Sequence, residues 1–248
     1  MPKLIVADRT IDCKLAVFDK DGTLVDSRVI LLELARARRK SIEEVGGNEE
    51  AELWEKIVGV DLTSEKIDFH GPLGTAPRRD EMLIAAAAFY LKGRSWDEAK
   101  QLAQKAYDSA DESMNPPYGS VLLDGVATAL VNLKNGGLKL AVASTDTHDR
   151  IAQSFRTLGI ATLFDVFVGP EDVANCKPAP DMIFEVLKRT GCRADETVMV
   201  GDSISDMKMG RSAGVGVCIG VLTGITRRVQ LEKHADFVIA SAAQLRTR

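Results

Sequence analysis

The sequence predicts an α/β protein: a mostly parallel sheet core with helices on its faces, split by an inserted all-helical segment. Three observations carry this prediction. From about Leu138 onward, short apolar runs alternate with helical patterns, the texture of parallel strands joined by helices. Between Val25 and about Tyr118, strand-like runs disappear and apolar residues recur at helical spacing. Ahead of that stretch stands one isolated apolar run, Leu15-Ala16-Val17-Phe18. The helical segment therefore interrupts the α/β core after its first strand.

Leu15–Phe18 is the first strand of the core. Within the insertion, Ile30 to Glu44 predicts a helix with Arg36, Arg38, Arg39 and Lys40 on its polar side. Glu49 to Val58 predicts a shorter helix. Arg79 to Leu91 carries the tract Ala85-Ala86-Ala87-Ala88, a strong helix former. Ser95-Trp96-Asp97-Glu98 is a capping-box signature opening a helix that runs to about Ser113. Asn115-Pro116-Pro117-Tyr118-Gly119 then breaks the chain. Past it, Leu138 to Ala143 reads as a strand ending at Ser144, and Arg150 to Leu158 as a helix stopped by Gly159. Val166–Val168 is a short strand. Pro180, at a first helical position, opens Asp181 to Arg189, which Gly191 closes. Thr197–Gly201 and Val215–Ile219 are further strands, and Phe237–Ile239 adds a short last one. The expected boundaries are residues 1-25 with 118-248 for the core and 26-117 for the insertion.

The chain has 248 residues, 45% hydrophobic and 27% charged, which suits a globular protein with a sizeable core. A net charge of -4 argues against a nucleic-acid binder, which usually carries a basic excess. Cys13, Cys176, Cys192 and Cys218 lack CxxC spacing, so reduced thiols are expected rather than a zinc site or a disulfide framework. The apolar run after Met1 is too short for a signal peptide, and no segment approaches a membrane span, so a cytoplasmic protein is expected.

The chemistry concentrates where strands end. Asp19 and Asp21 stand two apart beside the Gly22 turn, and in an extended chain both would point to one side. Such a pair can bind a hard cation or divide nucleophile and acid roles; by itself it can equally be a solvated strand end. Lys20, between them, should point away by strand alternation. Ser144-Thr145-Asp146, Lys177-Pro178-Ala179-Pro180-Asp181 and Gly201-Asp202-Ser203-Ile204-Ser205-Asp206 follow three later strands. Ligands of open parallel sheets bind beyond the carboxyl ends of the strands, so one site would collect Asp19, Asp21, Ser144, Lys177, Asp202 and Asp206. Four acids, an amine and a hydroxyl suit metal-assisted phosphoryl transfer. Taken singly, Ser144 reads as a strand-end hydroxyl, Lys177 as a solvated loop lysine and Asp206 as a helix N-terminal charge.

Together these motifs make the chain resemble the haloacid dehalogenase-like hydrolases, and within them the phosphoglycolate phosphatase-like subgroup. Asp19 to Leu24 matches the family's Asp-x-Asp-Gly-Thr-Leu motif, Ser144 its strand-ending Ser or Thr, and Lys177 its Lys before Pro-x-Pro. Gly201 to Asp206 matches Gly-Asp-x-x-x-Asp. The resemblance implies a Rossmann-like core and a helical cap of the first type. It implies Asp19 as nucleophile, forming an aspartyl-phosphate, and Asp21 as general acid and base. It further implies Mg²⁺ held by the Asp19 and Asp202 side chains and the Asp21 backbone carbonyl, with Asp206 in support. Gly22, Ser144, Thr145 and Lys177 would bind phosphate. The implied substrate is a small phosphorylated metabolite, phosphoglycolate-like or a sugar phosphate, handled by a monomer or homodimer. A phosphomutase similar to β-phosphoglucomutase is an alternative, weakened because Ile30-Leu31-Leu32-Glu33-Leu34 replaces that subgroup's His-x-x-x-Trp region. A phosphate-binding module without turnover is the other. In the insertion, a loop from Phe69 to Arg79 offers His70, Arg78 and Arg79 as possible substrate contacts.

Overall fold

In the computed structural model, which describes residues 1–114 and 120–247, the elements follow in chain order. They are β1 (Lys3–Val6), β2 (Arg9–Asp12), β3 (Leu15–Phe18), α1 (Ser27–Val45), α2 (Asn48–Val58), β4 (Val60–Asp61), β5 (Lys66–Ile67), α3 (Pro72–Thr75), α4 (Arg78–Leu91) and α5 (Trp96–Ser113). Then come α6 (Val126–Asn135), β6 (Lys139–Ala143), α7 (His148–Thr157), β7 (Val166–Val168), α8 (Asp181–Thr190), β8 (Thr197–Gly201), α9 (Ile204–Ala213), β9 (Val217–Val221), α10 (Arg228–Leu231), β10 (Phe237–Ile239) and β11 (Arg246–Thr247). The expected break at Asn115–Gly119 lies outside the described residues. Two compact units emerge: Met1–Ser27 with Ser120–Arg248, and Arg28–Gly119.

The first unit is built on a six-stranded parallel sheet ordered β10-β9-β8-β3-β6-β7. All four residues of β3 are buried, which is why its sequence is continuously apolar rather than alternating. Alternate β3 side chains enter different cores. Ala16 and Phe18 join Leu140, Val142, Val198 and Val200, covered by Val126, Leu130 and Leu133 of α6 and Ile151 and Phe155 of α7. Leu15 and Val17 join Ala141, Ala143 and Met199, covered by Met182, Ile183 and Val186 of α8 and Met207 and Met209 of α9. The result is a helix–sheet–helix sandwich with a clean two-residue period through its middle strand. From β3 the chain order runs outward in both directions, to β6 and β7 on one side and to β8, β9 and β10 on the other. The carboxyl end of β3 is thus the switch point of the sheet.

Some elements of this unit were not expected from the sequence, and one boundary shifts. β1 and β2 form an antiparallel hairpin extended by β11, with Leu4 opposite both Ile11 and Thr247. Its turn uses Ala7 at φ 48 rather than a glycine, so the usual sequence signal is missing. Helix α6 was also not expected, although Val126, Ala129, Leu130 and Leu133 line one buried face. Pro180 sits at the N-cap of α8, one position earlier than expected, and Gly191 ends that helix at φ 67.

The second unit packs α1, α2, α4 and α5 around Trp54, Phe89 and Tyr107. Small side chains face one another along α4 and α5: Ala85, Ala86 and Ala88 against Ala99, Ala103 and Ala106. The alanine tract therefore serves as a packing surface as well as a helix former. Two departures from the expected all-helical texture stand out. The two-residue strands β4 and β5 pair antiparallel, with Val60 opposite Ile67. Arg38, expected on a polar face, is buried and ion-paired to buried Glu81. Its guanidinium also lies 4.7 Å from the Tyr107 ring centre, and the Tyr107 hydroxyl accepts a hydrogen bond from Trp54 Nε1 at 3.0 Å. No helix among the described residues is long and apolar enough to cross a membrane.

Candidate active site

The end of β3 delivers Asp19, whose N–H still donates to Val200 O of β8 at 2.9 Å. The chain then turns sharply. Lys20 O accepts N–H groups from Leu24 (2.9 Å) and Val25 (3.0 Å), and Gly22 takes φ 80. A Cβ at Gly22 would lie 2.9 Å from the Asp202 carboxyl, so both backbone sign and space require glycine here. Asp202 follows β8, and Asp206 lies in the first turn of α9. There Asp206 forms a capping box with Ser203: Ser203 N–H donates to Asp206 Oδ2 at 3.0 Å, and Asp206 N–H donates to Ser203 Oγ at 3.2 Å. Lys177 arrives from the segment after β7, and Ser144 ends β6 buried at 2% exposure.

These loops converge on the Lys177 ammonium. It pairs with Asp19 Oδ1 and, at 2.7 Å, with Asp206 Oδ1. Asp206 thus both caps α9 and holds Lys177. Burial lifts the Asp19 carboxyl well above the usual carboxylate range; Lys177 opposes this, while Asp206 and Asp202 add to it. Burial also pushes Asp202 up to about 6, with Asp206 adding and the Ile225 N–H and Lys177 opposing. For Lys177, burial works against the ammonium, but Asp19 and Asp206 outweigh it and hold the group above its ordinary range. Three carboxylates around one ammonium leave a net negative, buried site.

That site meets the requirements of a hard divalent cation. Among the described residues, Asp19, Asp202 and Asp206 present oxygens within 4.8 Å of one another. An all-oxygen donor set suits a hard divalent cation, whose charge would offset the burial that raises these carboxyls. The Asp21 carboxylate is not in this cluster.

Several expected residues behave differently. Lys20 does not turn away: it is 3% exposed, and Nζ contacts Asp21 Oδ2 at 2.8 Å and Asp146 Oδ2 at 2.9 Å. Strand alternation fails because β3 ends at Phe18, two residues before it. The Gly22 N–H donates to Val25 O at 2.8 Å. Ser144 Oγ accepts the Asp146 N–H at 3.1 Å, and Thr145 beside it is exposed. In the second unit, Arg78 and Arg79 lie in the first turn of α4 rather than in a loop. Arg78 donates to Asp108 and Asp111, each at 2.7 Å, whereas Arg79 and His70 are exposed.

The sequence reading missed the loop after β9. Ile225 N–H donates to Asp202 Oδ2 at 2.9 Å, and Thr23 Oγ1 donates to Asp202 Oδ1 at 3.3 Å. Thr223 Oγ1 donates to Gly22 O at 2.6 Å. Gly224 lies so close that a Cβ there would fall 1.9 Å from Asp202 Oδ2. Both oxygens of Asp202 are therefore oriented by hydrogen bonds. The signal was the Thr223-Gly224 pair, one residue past the end of β9, a mark of close backbone approach.

The chain is similar to known proteins in sequence and in fold. The model of the haloacid dehalogenase-like hydrolases matches residues 13–214. A protein named "Probable phosphatase IndB" from Dickeya dadantii is 30% identical over 91% of this chain and 88% of its own. A phosphoglycolate phosphatase from Shigella boydii is 28% identical, covering 84% of this chain and 82% of its own. A haloacid dehalogenase family hydrolase from Deinococcus radiodurans, solved with bound phosphate and sodium, superposes with a TM-score of 0.65 at 22% identity, covering 94% and 93% of the two chains. With its α/β fold, its acidic switch-point cluster and these relatives, the chain belongs to the haloacid dehalogenase-like hydrolases, among the phosphatases that hydrolyse phosphoric monoesters.

Proposed function

We propose that the protein is a Mg²⁺-dependent phosphatase of a small phosphorylated metabolite, phosphoglycolate-like or a sugar phosphate, that works through an aspartyl-phosphate on Asp19. The observation that carries this reading is the buried Asp19–Lys177–Asp206 array beside Asp202 at the switch point of the sheet. Asp19 would attack phosphorus, with Lys177 offsetting charge on the nucleophile and the transferring group. Mg²⁺, held by Asp19 and Asp202 with the Asp21 carbonyl, would supply charge neutralisation for the phosphoryl oxygens. Ser144 would hold the phosphoryl group by its hydroxyl. Asp21, whose side chain is 39% exposed and outside the acidic cluster, would carry a proton to the leaving alcohol and from the attacking water. The names of the relatives support a small anionic substrate.

We further propose that residues 26-117 form the substrate-selecting cap. Of the three cationic candidates there, Arg79 and His70 retain exposed side chains, while the Arg78 charge is engaged by two aspartates.

Hydrolysis of p-nitrophenyl phosphate with and without Mg²⁺, followed by a panel of phosphoglycolate, sugar phosphates, nucleotides and pyrophosphate, tests the reading. Metal-dependent turnover, with one small phosphate ester preferred, is the expected result. Absence of turnover across the panel would overturn it.

A further inference from the structure

One buried charge has no part in the scheme above: the Lys20 ammonium. It contacts both oxygens of Asp21, at 2.9 and 2.8 Å, and Asp146 Oδ2 at 2.9 Å. Asp146 is itself fixed. Its N–H donates to Ser144 Oγ at 3.1 Å, and its other oxygen pairs with Arg150 at 3.5 Å. A chain of polar contacts, Ser144–Asp146–Lys20–Asp21, therefore runs from the end of β6 to the turn after β3. Burying an ammonium is costly unless it is paired, and here two carboxylates offset the cost. A desolvated ammonium gripping both oxygens also restricts the carboxylate's rotamer, which a solvated surface pair does not do.

We propose that Lys20, held in place by Asp146, is a positioning residue that fixes the Asp21 carboxyl for proton transfer to the leaving oxygen. This inference rests on the phosphatase reading. As an Asp19 oxygen bonds to phosphorus, the P–O ester bond breaks and its electron pair passes to the ester oxygen. The Asp21 carboxyl proton moves to that oxygen, leaving a carboxylate against Lys20. The demand for this proton depends on the leaving group: p-nitrophenolate departs without one, and an alkoxide does not. In kcat/KM, which reports the phosphoryl-transfer step and not the later hydrolysis of the aspartyl-phosphate, a residue that acts through Asp21 should therefore matter for alkyl esters alone.

The experiment compares kcat/KM, with Mg²⁺, for p-nitrophenyl phosphate and for the best alkyl phosphate of the panel. Wild type, Lys20→Met, Asp146→Asn, Asp21→Asn and the Lys20→Met/Asp21→Asn double variant are measured. Methionine keeps the length and apolar stem of Lys20. The Lys20→Met variant should lose about 10- to 100-fold on the alkyl ester and less than about 3-fold on p-nitrophenyl phosphate. Asp146→Asn should show the same split, smaller in size. In the Asp21→Asn background, Lys20→Met should cost nothing further, because the two act as one unit. Equal losses on both esters, or a loss that persists without Asp21, would overturn the proposal in favour of direct phosphate contact or a role in folding. If Lys20→Met does not fold, the split in Asp146→Asn decides, and its absence overturns the proposal. A wild type inactive on both esters would remove the phosphatase reading itself, and this proposal with it.

Discussion

Each unit of the molecule buries an ionic cluster, and the two are built on opposite principles. In the second unit Arg38 and Glu81 are paired one to one, stacked against Tyr107, which is itself hydrogen-bonded to Trp54. In the first unit one ammonium faces Asp19 and Asp206, with Asp202 close by. The Arg38–Glu81 cluster balances its charge internally, so its effect is felt in folding and in specifying how helices pack. In the Lys177 cluster burial raises the Asp19 and Asp202 carboxyls, with the neighbouring acids adding to it, and the surplus negative charge suits the site to a cation. Burial alone does not separate a functional from a structural ion cluster; charge imbalance does.

Substitutions on the two sides should therefore fail in different ways. The largest effect is expected from Asp19→Asn, which should lower p-nitrophenyl phosphate turnover by about 10⁴-fold or more while the melting temperature changes little. Full activity in that variant would break the comparison. Glu81→Gln should do the reverse, costing about 3–5 kcal/mol in urea unfolding because it leaves Arg38 buried without its counter-ion. The folded fraction should keep wild-type kcat/KM, and replacing both partners, Arg38→Met with Glu81→Leu, should recover most of the loss.

Gly224→Ala comes next. Its new methyl must displace Asp202, so Mg²⁺ affinity measured by calorimetry should fall about 10- to 100-fold. An unchanged affinity would show that the loop after β9 does not position that carboxylate. The smallest effect is a proton linkage. Asp202 rises from an ordinary value of 3.8 to about 6 in the folded chain, which therefore holds an extra proton between those values. The site's contribution to stability is greatest below about pH 4 and is lost as pH rises through about 6. A cation competes with that proton, so the melting-temperature gain on adding Mg²⁺ should grow between about pH 5 and pH 7.5. A pH-independent gain would show that Asp202 does not exchange a proton for the metal.

Legibility in the sequence followed physical specificity. Leu15–Phe18 and Thr197–Gly201 were readable to the residue because strands buried on both faces are apolar throughout. Asp19, Lys177, Asp202 and Asp206 were readable as a group because each follows a strand of one parallel sheet. The N-terminal hairpin was not, since β2 is largely exposed and its turn lacks glycine. Lys20 was misread because alternation was carried past the end of its strand. The loop that orients Asp202 was overlooked because two of its contributions, the Ile225 N–H and the close approach of Gly224, come from backbone, which side-chain chemistry does not advertise. Arg38 looked like a surface residue because a sequence does not show that Glu81 and an aromatic ring will meet it.

The position of β3 in the middle of the sheet has a consequence for how the protein is made. Asp19 leaves the ribosome well before Lys177, which lies 158 residues farther along the chain, and Asp202 lies 179 residues beyond Thr23. Parallel pairing over such separations is entropically slow, so the acidic cluster closes late, after β6 and β8 have docked on either side of β3. A nascent chain that has not yet produced β8 carries Asp19 without the rest of the cluster. Activity should therefore return during refolding only in the final cooperative phase, which makes turnover a direct clock for completion of the sheet.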